Sequence, residues 1–98
     1  MNEHEKADVM KQIATTGKLS EVAEVTTFRA YRQPSGGGIE EVTVEVYDRG
    51  PDAEPSLRYS VQATTERGAM ATGNPAESIA TTLAVVHWYD LEKQDKEL

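Results

Sequence analysis

The sequence predicts an α+β fold, a two-layer sandwich with N- and C-terminal helices on one face of an antiparallel sheet of three or four strands. Three observations point there. VTVEVYD (42–48) and LRYSVQATTE (57–66) alternate apolar and polar residues with the period of two that marks a half-buried strand. Segments near both ends carry apolar residues at helical spacing instead. The 98 residues, 38% of them hydrophobic, can build one small core but not two. Residues 1–98 are therefore one expected domain, with flexible tails at about 1–4 and 94–98.

Residues 3–16 predict the first helix. Val9, Met10, Ile13 and Ala14 fall on one side, with Glu5, Asp8, Lys11 and Gln12 on the other. Glu3, Glu5 and Asp8 suit the positive end of the helix dipole, and Gly17 is a natural stop. Thr26, Thr27, Phe28 and Tyr31 are strand formers, which predicts a strand over 24–33 ended by Pro34. SGGG (35–38) then makes a flexible connection.

In the next strand Val42, Val44 and Val46 point one way, and Glu41, Thr43, Glu45 and Tyr47 the other. RGPDAEPS (49–56) reads as a longer loop. In 57–66, Leu57, Tyr59, Val61 and Ala63 are expected inward, and Arg58, Ser60, Gln62 and Thr64 outward. A two-residue turn at Arg67–Gly68 would lead into a fourth strand over 69–72, with Met70 inward opposite Thr65.

The last element has the strongest start signal. Asn74 can cap, Pro75 fits the first helical position, and Glu77 completes a capping box. The predicted helix runs from about 75 to 93. On its wheel, Ala76, Ile79, Ala80, Leu83, Ala84, Val86 and Leu91 form one apolar face that also holds His87 and Asp90. Val85 and Tyr89 point away from it, and Trp88 sits on a flank.

Composition narrows the function. The absence of cysteine removes disulfides, thiol nucleophiles and Cys-based metal sites, and fits a cytoplasmic setting. MNEHEKADVMKQ has no apolar core of a secretory signal, and the longest aliphatic run, Leu83–Val86, is far short of a membrane span. A net charge of −7 repels nucleic-acid phosphates on average. The five arginines (29, 32, 49, 58, 67) lie mid-chain among acids, and the five lysines lie towards the ends.

Several fragments imitate motifs without meeting their requirements. In TTGK (15–18) the glycine ends a helix, whereas a phosphate loop's glycines precede one. DRGPDAE (48–54) lacks the spacing of a calcium loop. His87 and Asp90, spaced i,i+3, could orient a general base, but no nucleophile is singled out beside them. The only other histidine is His4, which leaves a metal site short of ligands. A structural role is expected for both residues, with no catalytic, cofactor or metal site.

Two surfaces are the candidates for binding a partner. Val85, Trp88 and Tyr89 would expose an aromatic and aliphatic strip, the chemistry that interfaces favour. On the polar sheet face, Tyr31, Tyr47, Arg29 and Arg58 would stand near Glu41 and Glu45. The expected function is a small acidic, non-catalytic protein–protein interaction module whose partner is another protein or a second copy of the chain.

The order helix, strands, helix is similar to that of double-stranded-RNA-binding domains, with ATGNPAESIATTLA (71–84) standing where their second helix begins. That family grips phosphate with lysines at this helix start. Here Pro75, Ala76 and Glu77 occupy it, so tight RNA binding is not expected. Two alternatives to the protein-binding reading are a nucleic-acid contact through the central arginines and an acidic regulator that mimics phosphate.

Overall fold

The computed structural model describes residues 1–97, with side chains as far as Lys93, so the expected tail at 94–98 falls largely outside the described residues. The order is α1 (Glu3–Gly17), β1 (Glu24–Arg32), β2 (Glu40–Asp48), a 3-10 turn (Pro55–Leu57), β3 (Tyr59–Thr65), β4 (Met70–Thr72), α2 (Ile79–Ala84) and a 3-10 helix (Trp88–Glu97). The strands form one antiparallel sheet in the order β1-β2-β3-β4. The α+β class is as the sequence predicts.

Alternation builds the core. Val42 and Val46 of β2, Val61 and Ala63 of β3 and Ala71 of β4 share one face, and Val86 and Leu91 close over them. The opposite face carries Glu41, Thr43, Glu45 and Tyr47 beside Ser60, Gln62 and Thr64. β1 continues both faces, yet seven of its nine residues are exposed. The cover laid down by the C-terminal segment reaches β3 and β4 and stops short of β1.

The fourth strand is out of phase with the expectation. Thr65 N–H donates to the Ala69 carbonyl at 2.9 Å, so Glu66, Arg67 and Gly68 form a three-residue loop. Gly68, at φ 93°, supplies the left-handed position that such loops need. The extra residue turns Met70 outward, opposite Thr64, and sends Ala69 and Ala71 inward.

The long C-terminal helix is also corrected. Ala76 is extended: its N–H and C=O both bond to Tyr59, at 2.9 and 3.0 Å. These two ladder bonds to the sheet displace the capping box at Asn74. Ser78 caps the helix instead, its Oγ accepting from Thr81 N–H at 3.1 Å. The helix then ends at Ala84 because the chain turns down onto the sheet. His87 N–H donates to the Thr72 carbonyl at 3.1 Å, and a Cβ at Gly73 would lie only 2.6 Å from the Val85 carbonyl. This descent drives Val86 into the core, while Ile79, Ala80 and Ala84 stay exposed. No single helical phase applies to 75–93.

α1 is capped by Asn2, whose Oδ1 accepts from Glu5 N–H at 2.8 Å. The left-handed residue at its far end is Lys18, at φ 52°, and not Gly17. None of its residues is buried, and Val9 and Ile13 remain 42% and 43% exposed. The helix meets the sheet at its end, through Lys6, Glu3 and Met10. Met10 rests on Gly50, where a Cβ would lie 2.7 Å from its sulfur.

Candidate interaction surface

Polar chemistry is concentrated at the two ends of β2, in phase with its inward valines. Asp48 is 6% exposed and receives Lys6 Nζ at 2.9 Å, Arg58 Nε at 2.8 Å and Gly50 N–H at 2.8 Å. Lys6 also reaches Glu24 at 3.0 Å, and Arg58 reaches Glu3 at 2.7 Å. Burial pushes the Asp48 carboxyl up, but the hydrogen bonds from Arg58 and Lys6 outweigh it and hold the group well below the usual carboxylate range. Asp48 in turn raises both cations.

At the other end Glu40, also buried, takes Arg67 Nε at 2.6 Å and Arg32 Nη1 at 2.9 Å. The Arg67 hydrogen bond keeps its carboxyl low against burial, with help from Arg32. No buried side-chain polar atom among the described residues lacks a partner. Both acids are buried and each is held by two cations, so the clusters brace the structure at the two ends of β2.

The histidine expected near the core is exposed. Its ring stacks on Tyr89, centroids 5.5 Å apart, while the Asp90 carboxylate pairs with Lys93 at 3.1 Å. The wheel fails here because the helix has already ended, and the chain presents His87 on the outside while Val86 goes in. No trio of His, Asp or Glu converges on a metal position among the described residues. No helix among them is long and apolar enough to cross a membrane.

The first candidate strip is surface, but it is partly occupied. Val85 and Trp88 are 40% and 39% exposed, and Trp88 folds back so that Nε1 donates to the Leu83 carbonyl at 3.2 Å. Tyr89 stacks on His87 and remains 64% exposed.

The second candidate group is not brought together. Tyr31 stands opposite Glu41, and Tyr47 opposite Val25, six residues further along β2 or roughly 20 Å. Tyr47 is half-buried, its phenol raised by burial and then by Glu45 beside it. Arg58 leaves the polar face altogether. Its αR backbone breaks the alternation before β3 and turns the guanidinium to Asp48, with the Tyr59 ring 4.8 Å away. Only Arg29 and Tyr31 stay together, Arg29 bound to Glu41 at 3.0 Å.

The candidates touched β1 only through Arg29 and Tyr31 and missed its other exposed apolar residues. Phe28 is 55% exposed on the core face and Val25 46% exposed on the other. With Tyr31 they give a nine-residue edge strand apolar groups on both faces. Natural sheets seldom leave such an edge long, flat and uncovered. The sequence predicts the first helix over the sheet, whereas none of its residues is buried and β1 is left uncovered.

No known family model matches the chain, and neither curated proteins nor solved structures give a match.

Proposed function

We propose that the protein is a non-catalytic protein–protein interaction module and that its partner seats on β1 and the bare sheet beside it. One observation carries this reading: β1 combines a free nine-residue backbone edge with exposed Phe28, Val25 and Tyr31, whereas the enclosed acids at the ends of β2 are spent on internal braces. Strand addition to such an edge draws affinity from main-chain hydrogen bonds and specificity from alternate side chains. The strip at Val85, Trp88 and Tyr89 is the weaker surface of the two, because it offers no free strand edge and Trp88 already donates to the Leu83 carbonyl.

The test is site-specific photo-crosslinking in cells. A photoreactive residue at Phe28 or Tyr31 should give discrete protein adducts, and one at Gln62 on β3, two strands away from the β1 edge, should give none. Equal labelling at all three positions, or no adduct at 28 and 31, would end the reading.

A further inference from the structure

We propose that β1 pairs antiparallel with the β1 of a second copy, Phe28 facing Phe28 across a two-fold axis. This rests on the interaction reading above and names its partner. The backbone sets which groups are available. Arg49 N–H donates to the Arg58 carbonyl and Glu66 N–H to the Glu41 carbonyl, so the odd-numbered residues of β2 turn their peptide groups to β3. The even-numbered ones face β1. By the pairing Phe28↔Val44, the even-numbered residues of β1 face β2, which leaves the N–H and C=O of Val25, Thr27, Arg29 and Tyr31 aimed outward.

The sequence of the strand, EVTTFRAYR, then selects the register. With Phe28 on the axis, Glu24 faces Arg32, Val25 faces Tyr31, Thr26 faces Ala30 and Thr27 faces Arg29, each pair occurring twice. Opposite charges meet at both ends, and apolar side chains meet next to them. Val25–Tyr31 and Thr27–Arg29 become the narrow pairs that exchange both hydrogen bonds, which is the parity the outward groups require. Sliding by two residues one way puts Arg29 opposite itself. Sliding the other way sets Glu24 against Ala30 and takes Arg32 off the end of the pairing. Only the central register uses all nine residues with complementary charge. Glu24 keeps Lys6 and Arg32 keeps Glu40, so each new ion pair joins an existing one.

Phe28 would sit in a wide pair with Cα atoms about 4.5 Å apart, within disulfide range. The chain has no cysteine of its own, which makes a cysteine scan clean. Mild oxidation should cross-link F28C into a covalent dimer and leave T27C and R29C largely monomeric. Sedimentation of the wild type at about 100 μM should show a dimer, a modest affinity for a strand contact. T27P, which removes an outward N–H and no ladder bond to β2, should stay folded by circular dichroism and sediment as a monomer.

A wild type that is monomeric at about 1 mM overturns the second copy as partner, while adducts to other proteins in cells would leave the interaction reading standing. A dimer that survives T27P, or T27C or R29C linking as readily as F28C, overturns the β1 register. If T27P fails to fold, the cross-linking pattern alone decides.

Discussion

The two ends of β2 bury the same chemistry and use it for different ends. Glu40 and Asp48 each lie in the phase of the inward valines, and each is held by two cations at hydrogen-bond distance. The partners of Glu40 come from the strand ends beside it: Arg32 across the first hairpin and Arg67 from the loop after β3. The partners of Asp48 include Lys6, which arrives from a separate helix, and Arg58, which carries Glu3 of that helix with it. One cluster braces the margin of a sheet. The other anchors α1, which has no buried residue of its own. A buried acid is therefore a local or a tertiary device according to where its cations come from.

Acidification should break both clusters at once and give the largest effect. Both carboxyls are held below their unfolded values, so their stabilisation is complete above the unfolded carboxylate pKa, about 4, and is lost as the pH falls through the lower folded values. Lys6 and Arg58 are raised, so their contribution is complete below the unfolded lysine value, about 10, and declines only as the pH rises beyond it. Thermal unfolding should be flat from neutral pH down to about 5 and fall below about 4, with exchange of the α1 amides rising first. A melting temperature that declines between pH 7 and 5 would contradict this.

Asp48→Ala should come next, costing about 4 kcal/mol because two half-buried cations and the Gly50 N–H lose their acceptor. Native-state hydrogen exchange should show α1 released in this variant. Glu40→Ala should cost about 3 kcal/mol and expose the Arg32 and Arg67 ends of the hairpins while α1 stays protected. Glu3→Gln should be smallest, under about 1 kcal/mol, because Glu3 is 60% exposed and its pair with Arg58 is solvent-screened. Equal release of α1 by Asp48→Ala and Glu40→Ala in denaturant titrations would erase the distinction between the clusters.

The valines of β2 and the alternation of β3 were legible because a period of two leaves one arrangement for a half-buried strand. The fate of residues 75–93 was not. Asn74, Pro75 and Glu77 form a good local start signal, but the signal is overruled by backbone bonds between Ala76 and Tyr59, far away in sequence. That shift moved His87 from the core to the surface and left Ile79, Ala80 and Ala84 exposed, while Val86 stays inward. The Asp48 anchor joins residues 42 and 10 positions apart, so no local window contains it. It did leave a trace: Glu40 and Asp48 share the parity of Val42, Val44 and Val46, and acids in an inward phase call for buried cations. Exposure of Phe28 depends on how far the C-terminal cover extends, which no feature of β1 encodes.

The far margin of the sheet sets the stoichiometry of any assembly built on β1. β4 is three residues long, and the outward carbonyl of Thr72 is already spent on His87. A protomer with one usable border and one plugged border can join once. An isologous contact consumes that border on both copies, and closed pairs result where a head-to-tail contact would run on into filaments. If copies pair through β1 as proposed, the turn that brings His87 down onto Thr72 would help keep such growth from running on.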